Sequence, residues 1–346
     1  MDIEQLHDVA IRMAAPGRGI LAADESSGTI EKRFASVGVI STENSRRDYR
    51  EMLFRATEAM RNYISGVILF DETMHQKAKD GTPLVELIER TGSIPGIKVD
   101  KGAHPLALTG GERVTEGLDG LRVRLKEYHV LGARFAKWRA VIDIGRGGDR
   151  SIPSVHCIEA NARVLARYAA LCQEQNMVPI VEPEVLMDGD HDIHRCFEVT
   201  EFALRALFAQ LYEHRVQIEG TILKPNMVVP GKKASKQASP DEIAEMTIRC
   251  LRRAVPAAVP GIVFLSGGQS DVEATANLNA INSRKDNLPW RLSFSYGRAL
   301  QTAPLMVWSG KAENELAAQE AFSHRARMNG LAQKGEWSAD LEKERA

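Results

Sequence analysis

The sequence predicts an α/β fold, an eight-stranded parallel (β/α)8 TIM barrel. Three observations carry that expectation. Eight short β-like runs recur, each closing on polar residues. The ends of the first and last runs, Asp24 and Ser295, lie 271 residues apart. Over seven steps that is about 39 residues each, enough for a strand, a helix and their loops. The segments between the runs carry the period of a helix face. An open doubly wound sheet is the structural alternative, because periodicity does not report closure.

In order, the runs are 19–23 into Asp24, 66–70 into Asp71 and Glu72, and 96–97 into Lys98, Val99 and Asp100. Next come 134–136 into Lys137, Trp138 and Arg139, 178–181 into Glu182, Pro183 and Glu184, and 220–223 into Lys224. Last are 262–265 into Ser266, Gly267 and Gly268, and 292–294 into Ser295, Tyr296, Gly297 and Arg298. Between them, Ile158, Ala162, Leu165, Ala169 and Cys172 recur at spacings of four and three, one helix face. Ser239-Pro240-Asp241-Glu242 and Ser270-Asp271-Val272-Glu273 read as capping boxes that start helices.

The length of 346 residues fits two domains or one α/β barrel, and the runs favour one barrel over 1–346 with an N-terminal helix. Residues from about 335 to 346 are too polar to build core and are expected as a tail or a short exposed helix. Lys and Arg number 45 against 46 Asp and Glu, which removes the basic footprint of a nucleic-acid binder. No apolar run approaches the ~20 residues of a membrane span. The acidic, mixed start 1–8 is wrong for a signal peptide. Cys157, Cys172, Cys196 and Cys250 are scattered through helix-like stretches, which suits free thiols and a cytoplasmic setting.

Strand C-terminal ends are where a barrel of this type collects its chemistry. Residues i and i+2 share a strand face, so Lys137 goes with Arg139 and Glu182 with Glu184, while Trp138 and Pro183 point outward. Lys224 closes an apolar run and is stopped by Pro225, which places it at the rim. An exposed lysine is almost wholly charged at neutral pH. Neighbouring cations, here Lys98 and Lys137, and partial burial lower its pKa and make a nucleophile. Glu182 and Glu184 are suited to handling protons. A ring of structural ion pairs is the plain alternative.

The turns at Ser266 to Ser270 and Ser295 to Arg298 follow strands seven and eight, where barrels commonly hold a phosphate. Lys32 and Arg33, beyond the first strand, are equally a second phosphate site or a solvated helix start. The segment 188–194 carries Asp188, Asp190, His191, Asp192 and His194, but glycine and capping aspartates before a helix suit a loop better than a metal site. The basic segment 231–237 reads as a surface loop.

Several of these stretches together resemble the class I fructose-bisphosphate aldolases, the Schiff-base, metal-independent kind. They are Gly19-Ile20-Leu21-Ala22-Ala23-Asp24-Glu25-Ser26, Gly96-Ile97-Lys98-Val99-Asp100-Lys101-Gly102, Phe135-Ala136-Lys137-Trp138-Arg139, Ile180-Val181-Glu182-Pro183-Glu184, Leu223-Lys224-Pro225-Asn226-Met227, Phe264-Leu265-Ser266-Gly267-Gly268-Gln269-Ser270 and Phe294-Ser295-Tyr296-Gly297-Arg298-Ala299-Leu300. The resemblance runs from Asp2 to about Lys334. It implies reversible cleavage of fructose 1,6-bisphosphate in glycolysis and gluconeogenesis, a cytoplasmic homotetramer, no metal, and no cofactor beyond a covalent imine on Lys224. Glu182 would be the acid/base of iminium formation and Asp24 the group for the C4 hydroxyl proton, assisted by Lys137 and Glu184. Ser266, Gly267, Gly268, Ser295, Gly297 and Arg298 resemble the phosphate pocket of the ketone half. Ser26, Lys32, Arg33, Lys98 and Arg139 resemble contacts to the rest of the sugar, and Thr29 stands where the family has a serine. Animal and plant members end in a tyrosine that exchanges a proton on the enamine. Here no tyrosine follows Tyr296, so either another group does that step or turnover is limited there.

Two other functions compete. A glycoside hydrolase could use Glu182 and Glu184, about 6.6–6.8 Å apart by strand rise, as an inverting pair. Three inward lysines oppose its cationic transition state. A non-catalytic sugar-phosphate sensor or scaffold would keep the phosphate turns without needing Lys224 beside Glu182.

Overall fold

The structure is a computed structural model and describes every residue except 148–149, 285–287 and 344–346. Eight parallel strands close into a barrel: β1 Gly19–Ala23, β2 Ile64–Leu69, β3 Ile94–Lys98, β4 Phe135–Ile142, β5 Val178–Val185, β6 Ile222–Leu223, β7 Gly261–Phe264 and β8 Arg291–Tyr296. Each strand pairs with its neighbours in sequence order, and Ile20 and Leu21 of β1 meet Ser295 and Tyr296 of β8 to complete the ring. Closure excludes the open doubly wound sheet. All eight expected runs are barrel strands, though β4 and β5 run several residues further than their apolar cores suggest, to Ile142 and Val185. Two antiparallel pairs, 103–105 with 113–115 and 145–147 with 150–152, were not anticipated; three-residue strands leave no periodicity to read.

The period of two along each strand divides the core in two. Ile20, Ala22, Ile68, Phe135, Ile180, Ile222 and Val263 point into the barrel and form one cluster. Their outward neighbours, including Leu21, Leu69, Ala136, Trp138, Val181, Leu223 and Phe264, pack on the surrounding helices. Trp138 lies 5.5 Å from the ring of Tyr168 on the helix Val155–Glu174. The expected face of that helix, from Ile158 to Cys172, is buried. The N-terminal helix Ile3–Met13 puts Leu6, Ala10 and Met13 into the inner cluster, so it stoppers the barrel at the end away from the charged rim.

Ser270 caps the helix Asp271–Asn282 with both arms of the expected box: its Oγ accepts the Glu273 N–H and its own N–H reaches Glu273 Oε2 at 2.8 Å. Ser239 accepts the Glu242 N–H at 3.2 Å with Pro240 in the first turn, but among the described residues Glu242 makes no return bond. Residues 335–343 do not hang free. Gly335 ends the helix Glu315–Lys334 in the left-handed region (φ 73°), where a residue with a Cβ is strained. The chain then turns back, the Trp337 indole donates to Glu342 at 2.9 Å, and Glu342 pairs with Arg325.

Inside the barrel, one bulky ring depends on two missing side chains. Phe135 crosses the interior over Gly66 and Gly96, and a Cβ on Gly96 would stand 2.2 Å from two of its ring carbons. Gly96→Ala therefore forces Phe135 or β3 to move, at a cost of about 1–3 kcal/mol. Urea unfolding should show a lower midpoint with an unchanged slope. A midpoint equal to that of the parent chain would mean the interior is not close-packed there.

Candidate active site

The inward apolar layer of the barrel is followed, two residues on, by charge. Ala22 leads to Asp24, Gly96 to Lys98, Phe135 to Lys137, Ile180 to Glu182 and Ile222 to Lys224, all on the wall of one cleft. The same cleft is lined by Glu25, Ser26, Thr29, Arg33, Arg139, Glu184, Ser266, Gly267, Ser295, Gly297 and Arg298. Of the residues expected there, Lys32 and Gly268 do not line it. Adjacent residues of a helix point about 100° apart, so when Arg33 faces inward Lys32 faces solvent. Gly268 donates its N–H to Met187 Sδ at 3.0 Å.

Alternating charges fill the floor. Lys224 Nζ lies 3.1 Å from Glu182 Oε1, and Lys137 Nζ lies 3.3 Å from Glu182 Oε2 and 2.8 Å from Asp24 Oδ2. Lys224, Glu182 and Lys137 are no more than 6% exposed at their side chains. Lys98 and Lys137 are opposite each other across β3 and β4, an arrangement that repels. Counter-ions separate them: Lys98 is 3.6 Å from Asp100, and Lys137 has Asp24 and Glu182. Glu184 is paired with Arg139.

Local backbone bonds fix Lys224. Its N–H donates to Val181 O at 2.9 Å, which sets it beside Glu182. Pro225 then ends the two-residue strand, since it has no N–H to continue the ladder. Asn226 Oδ1 accepts the Val185 N–H at 3.0 Å, and its Nδ2 reaches Thr200 Oγ1 at 3.0 Å, tying the turn to β5 and to the helix Ile193–Glu213.

The electrostatics of the three groups differ. Burial lowers the pKa of Lys224; Glu182 opposes that and Lys137 adds to it. Lys98, expected as part of that field, is instead engaged by Asp100. Burial raises Asp24 and Glu182, but their lysine neighbours outweigh it, so both carboxyls are held below their ordinary values. Burial lowers Lys137, and Asp24 and Glu182 more than reverse this, so it stays charged. One lysine is thus a fixed cation and the other is the group that can give up its proton.

The two turns make a second kind of surface. Gly267 adopts φ +54°, which favours glycine, and its carbonyl accepts from Arg298. Ser266 leads to the capped start of the helix Asp271–Asn282. Ser295 Oγ is buried beside the cleft with no partner among the described residues. Ser26 Oγ and Thr29 Oγ1 are 3.0 Å apart on the opposite wall. Asp188 to Asp192 form a loop whose last residue caps the helix Ile193–Glu213, so His194 lies in the first turn of that helix and not in the loop. Among the described residues no three His, Cys, Asp or Glu are grouped to hold a metal ion.

Sequence reasoning missed Asp100, Glu25 and Arg50. Asp100 shares a face with Lys98 and could have been found by the same two-residue rule. Glu25 lies beyond the end of β1, where strand periodicity stops. Arg50 comes from the helix Glu43–Phe54, and no local signal in the sequence ties it to the cleft.

The family model for fructose-bisphosphate aldolase class-I matches residues 5–346. A probable fructose-bisphosphate aldolase class 1 of Xanthomonas campestris pv. campestris is 60% identical over 338 residues, covering 97% of this chain and 99% of that protein. The cytosolic fructose-bisphosphate aldolase 6 of Arabidopsis thaliana is 56% identical over 331 residues, covering 96% of this chain and 91% of that protein. Among solved structures, the fructose-bisphosphate aldolase of Plasmodium falciparum, in complex with TRAP and a small-molecule inhibitor, superposes with a TM-score of 0.95 at 47% identity, covering 97% of this chain and 96% of that one. A closed eight-stranded barrel with this agreement over nearly its whole length leaves one conclusion: the chain belongs to the class-I fructose-bisphosphate aldolase family.

Proposed function

We propose that this chain catalyses the reversible aldol cleavage of fructose 1,6-bisphosphate in glycolysis and gluconeogenesis, through an imine on Lys224, working as one barrel domain. The observation that carries this reading is a lysine at the floor of a charged cleft, 3.1 Å from Glu182, whose pKa is lowered by burial. The neutral Lys224 amine attacks the C2 ketone of the open-chain sugar. Between its ammonium form and the iminium Lys224 gives up two protons, one before it attacks and one after, and each passes through Glu182 to the C2 oxygen, which leaves as water. As the nitrogen loses its charge, the lysine field that holds Glu182 ionised weakens, so Glu182 can hold each proton long enough to deliver it.

The resulting iminium accepts the electron pair of the C3–C4 bond, the task a Lewis-acidic metal would otherwise perform. Asp24 or Glu182 takes the C4 hydroxyl proton, and glyceraldehyde 3-phosphate leaves. Protonation of the enamine at C3 and hydrolysis release dihydroxyacetone phosphate and restore Lys224. Lys137 remains charged through the cycle, keeping Asp24 and Glu182 available as bases. Glu184 and Arg139 form the neighbouring pair that Glu182 works beside. The phosphate of the ketone half is bound by Ser266, Gly267, Ser295, Gly297 and Arg298, with Ser26, Thr29, Lys98 and Arg139 lining the rest of the cleft and Arg33 reaching toward Gly297. Lys137 and Lys224 flanking Glu182 disfavour a glycosidase, whose transition state is itself cationic.

A cytoplasmic setting suits four buried free thiols. No helix among the described residues is long and apolar enough to cross a membrane. A homotetramer is part of this reading, and sedimentation of the purified chain tests it.

Borohydride reduction with fructose 1,6-bisphosphate should add a three-carbon phosphate to Lys224 by peptide mapping, and Lys224→Met should abolish both adduct and turnover. Activity should survive a chelator. Tight binding without an adduct would favour a sensor, and loss of activity to the chelator would sink the metal-free mechanism. A second expectation concerns pH. The Lys224 amine should titrate below the 10.5 of an ordinary lysine, and Glu182→Gln, which removes a group that raises it, should lower the midpoint further. Isotope-labelled methylation followed by NMR reads both; a midpoint at or above 10.5 contradicts the assignment.

A further inference from the structure

Arg33 extends from the helix Ser27–Ala35 to the far side of the cleft. Its Nη2 is 3.7 Å from the point where a Cβ on Gly297 would stand, next to Arg298. Its Nη1 is paired with Glu25. Glu25 is itself held. Gln301 Nε2 donates to Glu25 Oε1 at 2.8 Å and to Ala22 O at 2.7 Å. Arg50 Nη2 donates to the Glu25 carbonyl at 2.8 Å, and its guanidinium lies 3.9 Å from Glu25 Oε2 and 3.5 Å from Glu72.

Arg50 is 1% exposed, and its Nε and Nη1, like Glu25 Oε2, have no hydrogen-bond partner among the described residues. A buried guanidinium so incompletely satisfied stabilises a fold less than an apolar side chain of its size. Packing alone therefore does not account for it. The charges do. A lone Glu25 would neutralise Arg33 and repel an incoming phosphate. With Arg50 behind it, the carboxylate is balanced from the buried side and the net field that Arg33 presents to the cleft is positive.

We infer that Arg50 is a positioning residue that acts through Glu25, with Gln301, to offset the Glu25 carboxylate and keep Arg33 directed at the Gly297–Arg298 phosphate turn. The inference rests on the aldolase reading of the cleft. It assigns Arg33 to the phosphate beside Arg298 and gives Glu25, Arg50 and Gln301 a part in substrate binding, though Arg50 and Gln301 lie behind the cleft wall.

The test is borohydride trapping of Lys224 with dihydroxyacetone phosphate and, separately, with dihydroxyacetone, which has no phosphate. In Arg50→Met the half-saturating concentration of the phosphate ester should rise about five- to tenfold, while that of dihydroxyacetone stays the same. Arg50→Lys, which keeps the charge, should recover most of the loss. In a Glu25→Gln background, Arg50→Met should have little further effect. Gln301→Leu, which frees Glu25 without removing a charge, should give the same phosphate-selective loss and serves if Arg50→Met does not fold. An equal rise for both ketones, no rise, or an undiminished rise in the Glu25→Gln background overturns the inference. Failure of the unmutated chain to trap either ketone would instead overturn the underlying reading.

Discussion

Lys224, Glu182, Lys137 and Asp24 form a line of alternating charges out of water, and the rest of the molecule is arranged to sustain it. Each of these groups alone would be costly to bury. Together they hold one another ionised, with Lys224 the exception that burial pushes toward the neutral amine. A carboxylate between two lysines is a place where a proton can be given and taken over a few ångströms. Carbinolamine formation and dehydration both need such a place.

The barrel provides the low-dielectric floor beneath that line. Inward side chains are apolar up to one layer and charged in the next, so the charges stand on Ile20, Ala22, Phe135, Ile180 and Ile222 rather than on solvent. The N-terminal helix Ile3–Met13 closes the opposite end, and Phe135 fills the middle over two glycines. These features exclude water from below. The open rim, with its two glycine turns and its arginines, is left to the charged substrate.

A second charge arrangement, around Glu25, follows different rules. There Arg50, from a distant helix, stands behind a carboxylate that also pairs with Arg33 at the cleft. Lys137 does something similar on the floor, remaining a cation so that Glu182 and Asp24 remain anions. In both places a buried cation offsets a carboxylate next to the cleft.

The strands and the inward residues were legible in the sequence because a strand repeats every two residues. Once the apolar run is placed, Asp24, Lys98, Lys137, Glu182 and Lys224 follow. Glycine, proline and serine marked the turns for the same local reason. The sequence could not say which of Lys32 and Arg33 enters the cleft, because that depends on how the helix Ser27–Ala35 rotates against the barrel. Nor could it show that Arg50, Glu25 and Gln301 meet. Local period determined which residues face inward. Only the closed tertiary structure decided which charges pair, because pairing depends on distances between segments far apart in the chain.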